Sequence, residues 1–458
     1  MSDPSNRIGD LSPEAKRALL GHLLQKKASA SNSLFPASYG QRALWFLWQL
    51  APQSAAYNIL YSARIRSGVD LAALRRAFQA LADRHPILRT TYTRSLGKPV
   101  QQIHEQHQVH FEEVDASAWT WDYLNARLFE EADRPFDLER GPVLRVKLFA
   151  RSPQAHVLVI TIHHIAVDFW SLDLIVNELK TFYAADKTGA PALLPPLPAQ
   201  YADYAHWQSQ MLEAPEAERL WSYWQKQLGG ELPALNLPTD RPRPPVQTYH
   251  GASHNIALSE GLTARLRALA KAEGTTLYVL LLAAFKALLH RYTAQDDILI
   301  GSPLAGRSRA ELSRIVGYFI NPVVLRSHLS GDPTFKTFLG QVRGTVLGAL
   351  EHEDFPFPLL VERLQPKRDA SRSPLFQVAF IWDKLPQPEE PGEPAARQDG
   401  RMLDLEPIAV GQRGAPFDLT LTVAEGSGSL TASFQYNTDL FDAERIVRMS
   451  GHLRTLLE

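Results

Sequence analysis

Four prolines crowd into the ten residues Ala190-Pro-Ala-Leu-Leu-Pro-Pro-Leu-Pro-Ala199. Such a run is neither regular helix nor central strand, because each proline lacks a backbone donor and its ring collides with a preceding helical turn. Whatever packs before this connector must therefore be completed separately from what packs after it. A second cluster, Leu237-Pro-Thr-Asp-Arg-Pro-Arg-Pro-Pro245, marks the passage into a C-terminal half. A third, acidic and proline-rich over residues 386–400, reads as a surface loop. The expected division is an N-terminal helix and linker over 1–33, a first lobe over 34–200 and a second over 201–458. At 458 residues the chain has room for about three domains, or fewer if the lobes are large.

Local patterning gives both lobes helices and strands. Residues 11–28 place Leu19, Leu20, Leu23 and Leu24 at helical spacing among lysines and arginines, a short amphipathic helix that either packs on its own domain or docks a partner. A helix is predicted over 71–84, with an extended segment over 88–93. Another helix-rich stretch covers 262–291. Leu419, Leu421 and Val423 alternate with polar residues, and after the Gly426-Ser427-Gly428 turn the alternation resumes as Leu430, Ala432, Phe434 and Tyr436, which predicts a hairpin with one buried face. The mixture implies two α/β sandwich lobes.

Composition excludes several classes of function. Hydrophobic residues make up 45% and charged ones 21%, an ordinary globular balance, and the formal net charge of −1 gives no overall case for nucleic acid or an acidic membrane. The longest apolar stretch, 278–289, is interrupted by Lys286 and too short to span a bilayer, so no membrane insertion is expected. Absence of cysteine removes disulfides, thiolate metal sites and a cysteine nucleophile, and residues 1–10 lack the apolar core of a signal peptide. A cytoplasmic monomer is the expectation. The last residues, 452–458, run in an amphipathic pattern with no stop signal, as if more chain follows.

The chemistry concentrates where the apolar run 157–162 ends in His163-His164-Ile165-Ala166-Val167-Asp168-Phe169-Trp170-Ser171. Neighbouring strand residues point to opposite faces, so one histidine faces a cavity while the other packs inward. Opposed histidines are poor joint metal ligands, and with no His-Glu-x-x-His pattern no metal is expected. Neither a Gly-x-Ser-x-Gly elbow nor a phosphate-binding glycine loop is present. Ser171 and Asp173 signal a helix start, and Leu172, Ile175, Leu179, Phe182 and Tyr183 line one face after it. In isolation a His-His pair followed by Asp is more often structure than catalysis. His85 and His352 are read as structural.

This stretch resembles the His-His-x-x-x-Asp-Gly signature of condensation domains in nonribosomal peptide synthetases, relatives of chloramphenicol acetyltransferase. Further stretches resembling that family follow in its order: Ser38-Tyr-Gly-Gln-Arg-Ala-Leu-Trp45, Arg84-His-Pro-Ile-Leu-Arg-Thr90, Tyr201-Ala-Asp-Tyr-Ala-His-Trp207, Val316-Gly-Tyr-Phe-Ile-Asn321, His352-Glu-Asp-Phe-Pro-Phe357 and Arg368-Asp-Ala-Ser-Arg-Ser-Pro-Leu-Phe-Gln377. The resemblance implies an α/β, V-shaped pseudodimer of two chloramphenicol-acetyltransferase-like lobes with the active site in a tunnel between them. It implies His164 as general base or as the group orienting the amine, with His163 structural. Asp168 would form a structural ion pair with Arg89 or Arg307, and Phe169, Trp170, Ser171 and Asn321 would line the substrate tunnel. Phe169 stands where the family has glycine, which implies a reshaped donor pocket.

The implied activity is amide formation between an acyl thioester and the amine of an aminoacyl group on a carrier protein. No cofactor is held permanently: the donor is acyl-CoA and the acceptor rides on a phosphopantetheine arm. With only about thirty residues before the fold, a starter, lipoinitiating domain is the leading expectation, with an adenylation domain downstream. A domain fed with peptide or polyketide by an upstream carrier protein, the 11–28 helix serving in docking, and an inactive recruitment module stand as alternatives.

Overall fold

The computed structural model describes residues 34–66, 68–105, 107–367, 369–384, 402–408, 414–426 and 428–458. The amphipathic helix expected over 11–28, the loop expected over 386–400, Ser427 of the hairpin turn and Arg368 of the last family-like stretch lie outside them.

The first half contains β1 (Leu34–Pro36), α1 (Tyr39–Leu50), β2 (Asn58–Ile65), α2 (Leu71–Arg84), β3 (Thr90–Ser95), β4 (Lys98–Ile103), β5 (His110–Asp115), α3 (Trp121–Asp133), β6 (Leu144–Ser152), β7 (Ala155–His163) and α4 (Phe169–Thr188). A 3-10 turn over Pro86–Arg89 replaces the start of the extended segment expected at 88, because Pro86 opens a tight turn. No regular element crosses 190–199. The second half contains α5 (Tyr201–Glu213), α6 (Pro215–Gln227), β8 (Gly251–Leu258), α7 (Glu260–Ala272), α8 (Leu277–Thr293), β9 (Asp297–Leu304), β10 (Asn321–His328), α9 (Phe335–Glu351), α10 (Phe357–Leu364), β11 (Val378–Lys384), β12 (Leu405–Pro407), β13 (Leu419–Glu425), β14 (Leu430–Asn437) and α11 (Ala443–Leu457).

Each half builds a mixed sheet with helices packed on it. The first sheet has the order β12-β2-β7-β6-β5, and the second β10-β9-β11-β13-β14-β8; a small β1-β4-β3 sheet completes the first lobe. Strand β7 is apolar at every position from Val157 to Ile160 because both faces are covered. Leu158, Ile160 and Ile162 join one core with Phe78 and Leu179, whereas Val157 and Val159 join another under Leu124 and Leu128 of α3. The hairpin β13–β14 is antiparallel with Leu421 opposite Phe434, and its apolar face lies in the second core. Helix α8 is buried through its centre, Lys286 included.

The lobes do not divide at residue 200. Tyr201, Leu312, Ile315, Val316, Phe319, Leu403 and Leu405 pack into the first lobe's core. Strand β12 extends the first sheet by pairing Leu405 with Ile65 of β2. The proline connector predicts a break in regular structure, but not that chain beyond it returns to finish the first lobe.

Candidate active site

The two histidines part company at the end of β7. His163 is its last residue, 3% exposed, with Nδ1 accepting the Ile165 N–H at 3.1 Å and its ring edge-on to Phe136. Burial, followed by the neighbouring His164 and Arg145, pushes its basicity down to about 3. His163 is therefore neutral at any physiological pH and sits within the core. The chain then turns sharply, with the Ala166 N–H donating to the His163 carbonyl at 3.0 Å.

His164 faces the other way, half-buried and lining the large cleft between the lobes. Its backbone N–H donates to the Tyr57 carbonyl at 2.8 Å, and Nδ1 lies 2.6 Å from the Val167 carbonyl. A carbonyl only accepts, so Nδ1 carries the proton and Nε2 keeps its lone pair. Among the described residues Nε2 has no hydrogen-bond partner. Burial lowers the basicity of the ring below its ordinary value, opposed by the Val167 carbonyl and Asp168. The outcome is a neutral imidazole with one fixed tautomer and an accepting nitrogen available to the cleft.

Asp168 holds that turn in place. It caps α4, its Oδ1 accepting the Ser171 N–H at 2.7 Å, and it is 2% exposed. Arg307 Nη2 lies 3.1 and 3.2 Å from its two oxygens, and the Phe319 N–H donates to Oδ2 at 3.2 Å. Arg307 also donates to Ser171 Oγ at 2.7 Å and to the Ile315 carbonyl at 2.8 Å, and stacks over Phe319. The Ser171 hydroxyl in turn donates to the Gly317 carbonyl and accepts its N–H, each at 3.0 Å. Asp168 is thus an acceptor saturated by donors, placed to stitch the histidine turn to the 307–319 segment.

Two expected residues, Arg89 and Ser171, sit elsewhere. Arg89 does not reach Asp168: its Nε donates to the Ala82 carbonyl at 3.2 Å and its Nη1 to that of His104. Sequence shows a residue's type but not its reach, and only Arg307 is carried over the turn. Ser171 is fully buried in the ion-pair network and is not part of the cleft wall. Asn321 borders the cleft, but its amide is spent on backbone, donating to the Glu353 and Phe355 carbonyls and accepting the Phe357 N–H.

Phe169 and Trp170 do line the cleft, 57% and 50% exposed. Phe169 is the first residue of α4 and has no positive φ, so this backbone has no need of the glycine seen in the family signature. Trp170 Nε1 donates to the Ser313 carbonyl at 2.9 Å.

Residues that the sequence alone does not assign to the site complete it. Tyr318 packs edge-on against His164 with ring centroids 5.0 Å apart. Its backbone carbonyl accepts the Tyr201 hydroxyl at 2.5 Å, and that hydroxyl also meets Ser38 Oγ. Gly317 is required by contact: a Cβ there would fall 1.9 Å from the Tyr201 ring. The Val316–Asn321 stretch is visible in sequence as a family-like motif, but its contact with the histidine depends on long-range folding. The cleft measures about 3390 Å³ and is bordered by both lobes, with Tyr39, Phe46 and His164 on one side and Pro303, Trp382 and Phe417 on the other. Among the described residues no group of three or more His, Asp or Glu side chains is arranged to hold a metal. No single helix among them is long and apolar enough to cross a membrane.

Comparison with known proteins places this geometry in a family context. The family model described as "Condensation domain" matches residues 32–458. A linear gramicidin synthase polypeptide of Brevibacillus parabrevis is 44% identical over 431 residues, covering 92% of this chain, which spans only 5% of that protein. Among solved structures, the X-domain from teicoplanin biosynthesis superposes with a TM-score of 0.83 at 30% identity, covering 92% of this chain and 94% of that one. A four-domain nonribosomal peptide synthetase bound to AMP and glycine gives a TM-score of 0.83 at 26% identity, covering 93% of this chain and 33% of that one.

Proposed function

The chain belongs to the condensation-domain family, and from that premise we propose that it forms an amide bond between an acyl thioester and the amine of an aminoacyl group on a carrier protein. The observation that carries this reading is His164, whose Nδ1–H is committed to the Val167 carbonyl while Nε2 accepts in the open cleft. The amine nitrogen attacks the thioester carbon, and the tetrahedral adduct passes a proton to Nε2. The C–S bond then breaks and the departing sulfur takes that proton. Proton transfer of this kind contributes about 10²–10⁴-fold, and alignment of the two tethered reactants contributes more. No permanently held cofactor is called for: phosphopantetheine arms deliver the reactants.

For the donor, we favour a carrier-bound peptidyl or acyl thioester, because the relatives are peptide synthetases many times longer than this chain. An adenylation domain and carriers in one cytoplasmic megasynthase belong to the same proposal, with this domain acting as a monomer. The starter reading, in which a fatty acyl group comes from CoA, has one observation in its favour: Phe46 and Phe169 expose rings that an alkyl chain would cover. The recruitment reading draws on the teicoplanin X-domain, which forms a complex with OxyB.

One assay separates these readings. The full chain is given an aminoacyl carrier protein and, separately, a peptidyl carrier protein or octanoyl-CoA, and the acceptor carrier is weighed by intact mass spectrometry. The expected result is acceptor carrier heavier by the peptidyl group. Product from octanoyl-CoA alone would move the assignment to the starter reading, and no product from any donor would leave recruitment.

A further inference from the structure

His164 is in contact with two aromatic rings. Tyr318 lies with its ring plane at 82° to the imidazole and centroids 5.0 Å apart; Phe169 lies at 71° and 6.2 Å. Both are edge-to-face geometries, the arrangement that the quadrupoles of aromatic rings prefer. The two rings come from places far apart in the chain. The Phe169 backbone is set at the start of α4, where Asp168 caps the helix, and its ring reaches His164 from the cleft side. Tyr318 is held by the Tyr201 bond to its carbonyl, by the Asp168 contact to Phe319 next to it, and by α1, where a Cβ on Gly40 would come within 2.7 Å of the Tyr318 ring.

We propose that Phe169 and Tyr318 form an aromatic bracket that fixes the plane of the His164 imidazole and shields it from water, making both of them positioning residues for the acyl transfer. The proposal rests on the reading of His164 as the group that meets the reacting amine. The Val167 carbonyl sets which nitrogen carries the proton and holds the Nδ1 side of the ring. The bracket steadies the rest of it. In this chain Phe169 supplies the second ring at the position where the family signature has glycine, so its bulk, which at first sight narrows a substrate path, has a use at the reacting nitrogen.

Shielding has a sign. The charged and titratable groups around the imidazole are His163 behind it on β7, Asp168 with Arg307 in the following turn, and the phenols of Tyr57 and Tyr318 across the cleft wall. His163 stays neutral and burial raises both phenols, which leaves Asp168, itself paired with Arg307, as the opposing charge among them. Burial is then the leading influence on His164, and it acts to keep the ring unprotonated. Opening the bracket to water moves the protonation of His164 back up toward the ordinary histidine range.

The test uses the full chain with Phe169→Leu, Tyr318→Leu and Tyr318→Phe. Protonation of His164 is followed by NMR of its ring Cε1–H, identified by its loss in His164→Ala, without any substrate. Amide formation is followed in parallel with peptidyl and aminoacyl carrier proteins as functions of pH. Each leucine variant is expected to lower kcat roughly 10- to 100-fold, the range for misplacing a catalytic group by up to about 1 Å, with KM little changed. The His164 titration and the acid limb of the rate profile should both shift to higher pH. Tyr318→Phe, which keeps the ring, should behave as the unmodified chain. Unchanged kcat and titration in Phe169→Leu would overturn the bracket, and so would a Tyr318→Phe loss as large as that of Tyr318→Leu, since the hydroxyl would then be the active part. Phe169 is exposed, so its leucine variant stays informative even if Tyr318→Leu fails to fold. If the unmodified chain forms no amide, the proposed function fails by itself while the NMR titration still decides the bracket.

Discussion

Two buried charges sit in the two lobes and are handled in opposite ways. Arg307 lies against the carboxylate of Asp168, with Ser171 and backbone carbonyls taking further donors. Lys286, with no exposed surface, has no carboxylate within ion-pair distance among the described residues and donates to the Leu325 carbonyl at 2.6 Å and Ser327 Oγ at 3.0 Å. Burial lowers it to about 7, so it hovers between charged and neutral. Each lobe asks something different of its core. The first lobe keeps a permanent ion pair because that pair joins the histidine turn to a distant segment, whereas the second places a lysine where a neutral amine can serve as a hydrogen-bond donor.

The ion pair is most exposed to test at Asp168. Asp168→Ala strands the Arg307 charge in the core and is expected to cost about 3–5 kcal/mol of stability, read by urea unfolding, with activity lost as well. An unchanged unfolding midpoint would show that the pair is structurally idle. His164→Ala touches no buried charge; it should lower kcat about 10²–10⁴-fold while leaving the unfolding midpoint near that of the unmodified chain. Wild-type turnover in that variant removes His164 from the chemistry.

At Lys286 the contrast is sharpened by pH. The folded protein holds this proton less tightly than the unfolded chain, whose lysine ionises near 10.5, so unfolding takes up a proton between about 7 and 10.5. Stability from this residue therefore rises with pH across that window and is lost as pH falls through it, with a slope of up to roughly 1.4 kcal/mol per pH unit. Lys286→Met should flatten the slope in denaturant titrations at pH 7 and 9, and an identical slope in both proteins would contradict the buried-amine account. Phe169→Gly leaves the ion pair intact, so its effect is expected on turnover, as for Phe169→Leu, and not on the unfolding midpoint. On the reading that the Phe169 ring lines the donor path, the profile of acyl chain lengths accepted should change; superimposable profiles would leave Phe169 without a part in donor choice.

These contrasts also show what can be read in advance. The apolar run of β7 announces a strand, and its ending in two histidines announces a split between core and cavity, since neighbouring strand residues point to opposite faces. The choice between Arg89 and Arg307 is open in sequence because it depends on which segment folds over the turn. Ser171 illustrates a different limit. As a helix-start residue beside a cleft motif it reads as a tunnel wall, and its place in the buried network depends on Gly317, far along the chain. Tyr318 offers no local signal of its contact with His164, and three-residue β12 is too short to carry a periodic pattern.

That small strand has a consequence for the company this domain keeps. A sheet edge is a row of unmatched amides, a template on which another chain can add itself. Along 62–65 of β2 this template is already occupied by the chain's own later segment, through Leu405 to Pro407 and the Ile408 N–H bonded to the Ser62 carbonyl at 2.8 Å. In any polypeptide where similar folds follow one another, an edge taken in this way discourages a sheet from zippering onto its neighbour.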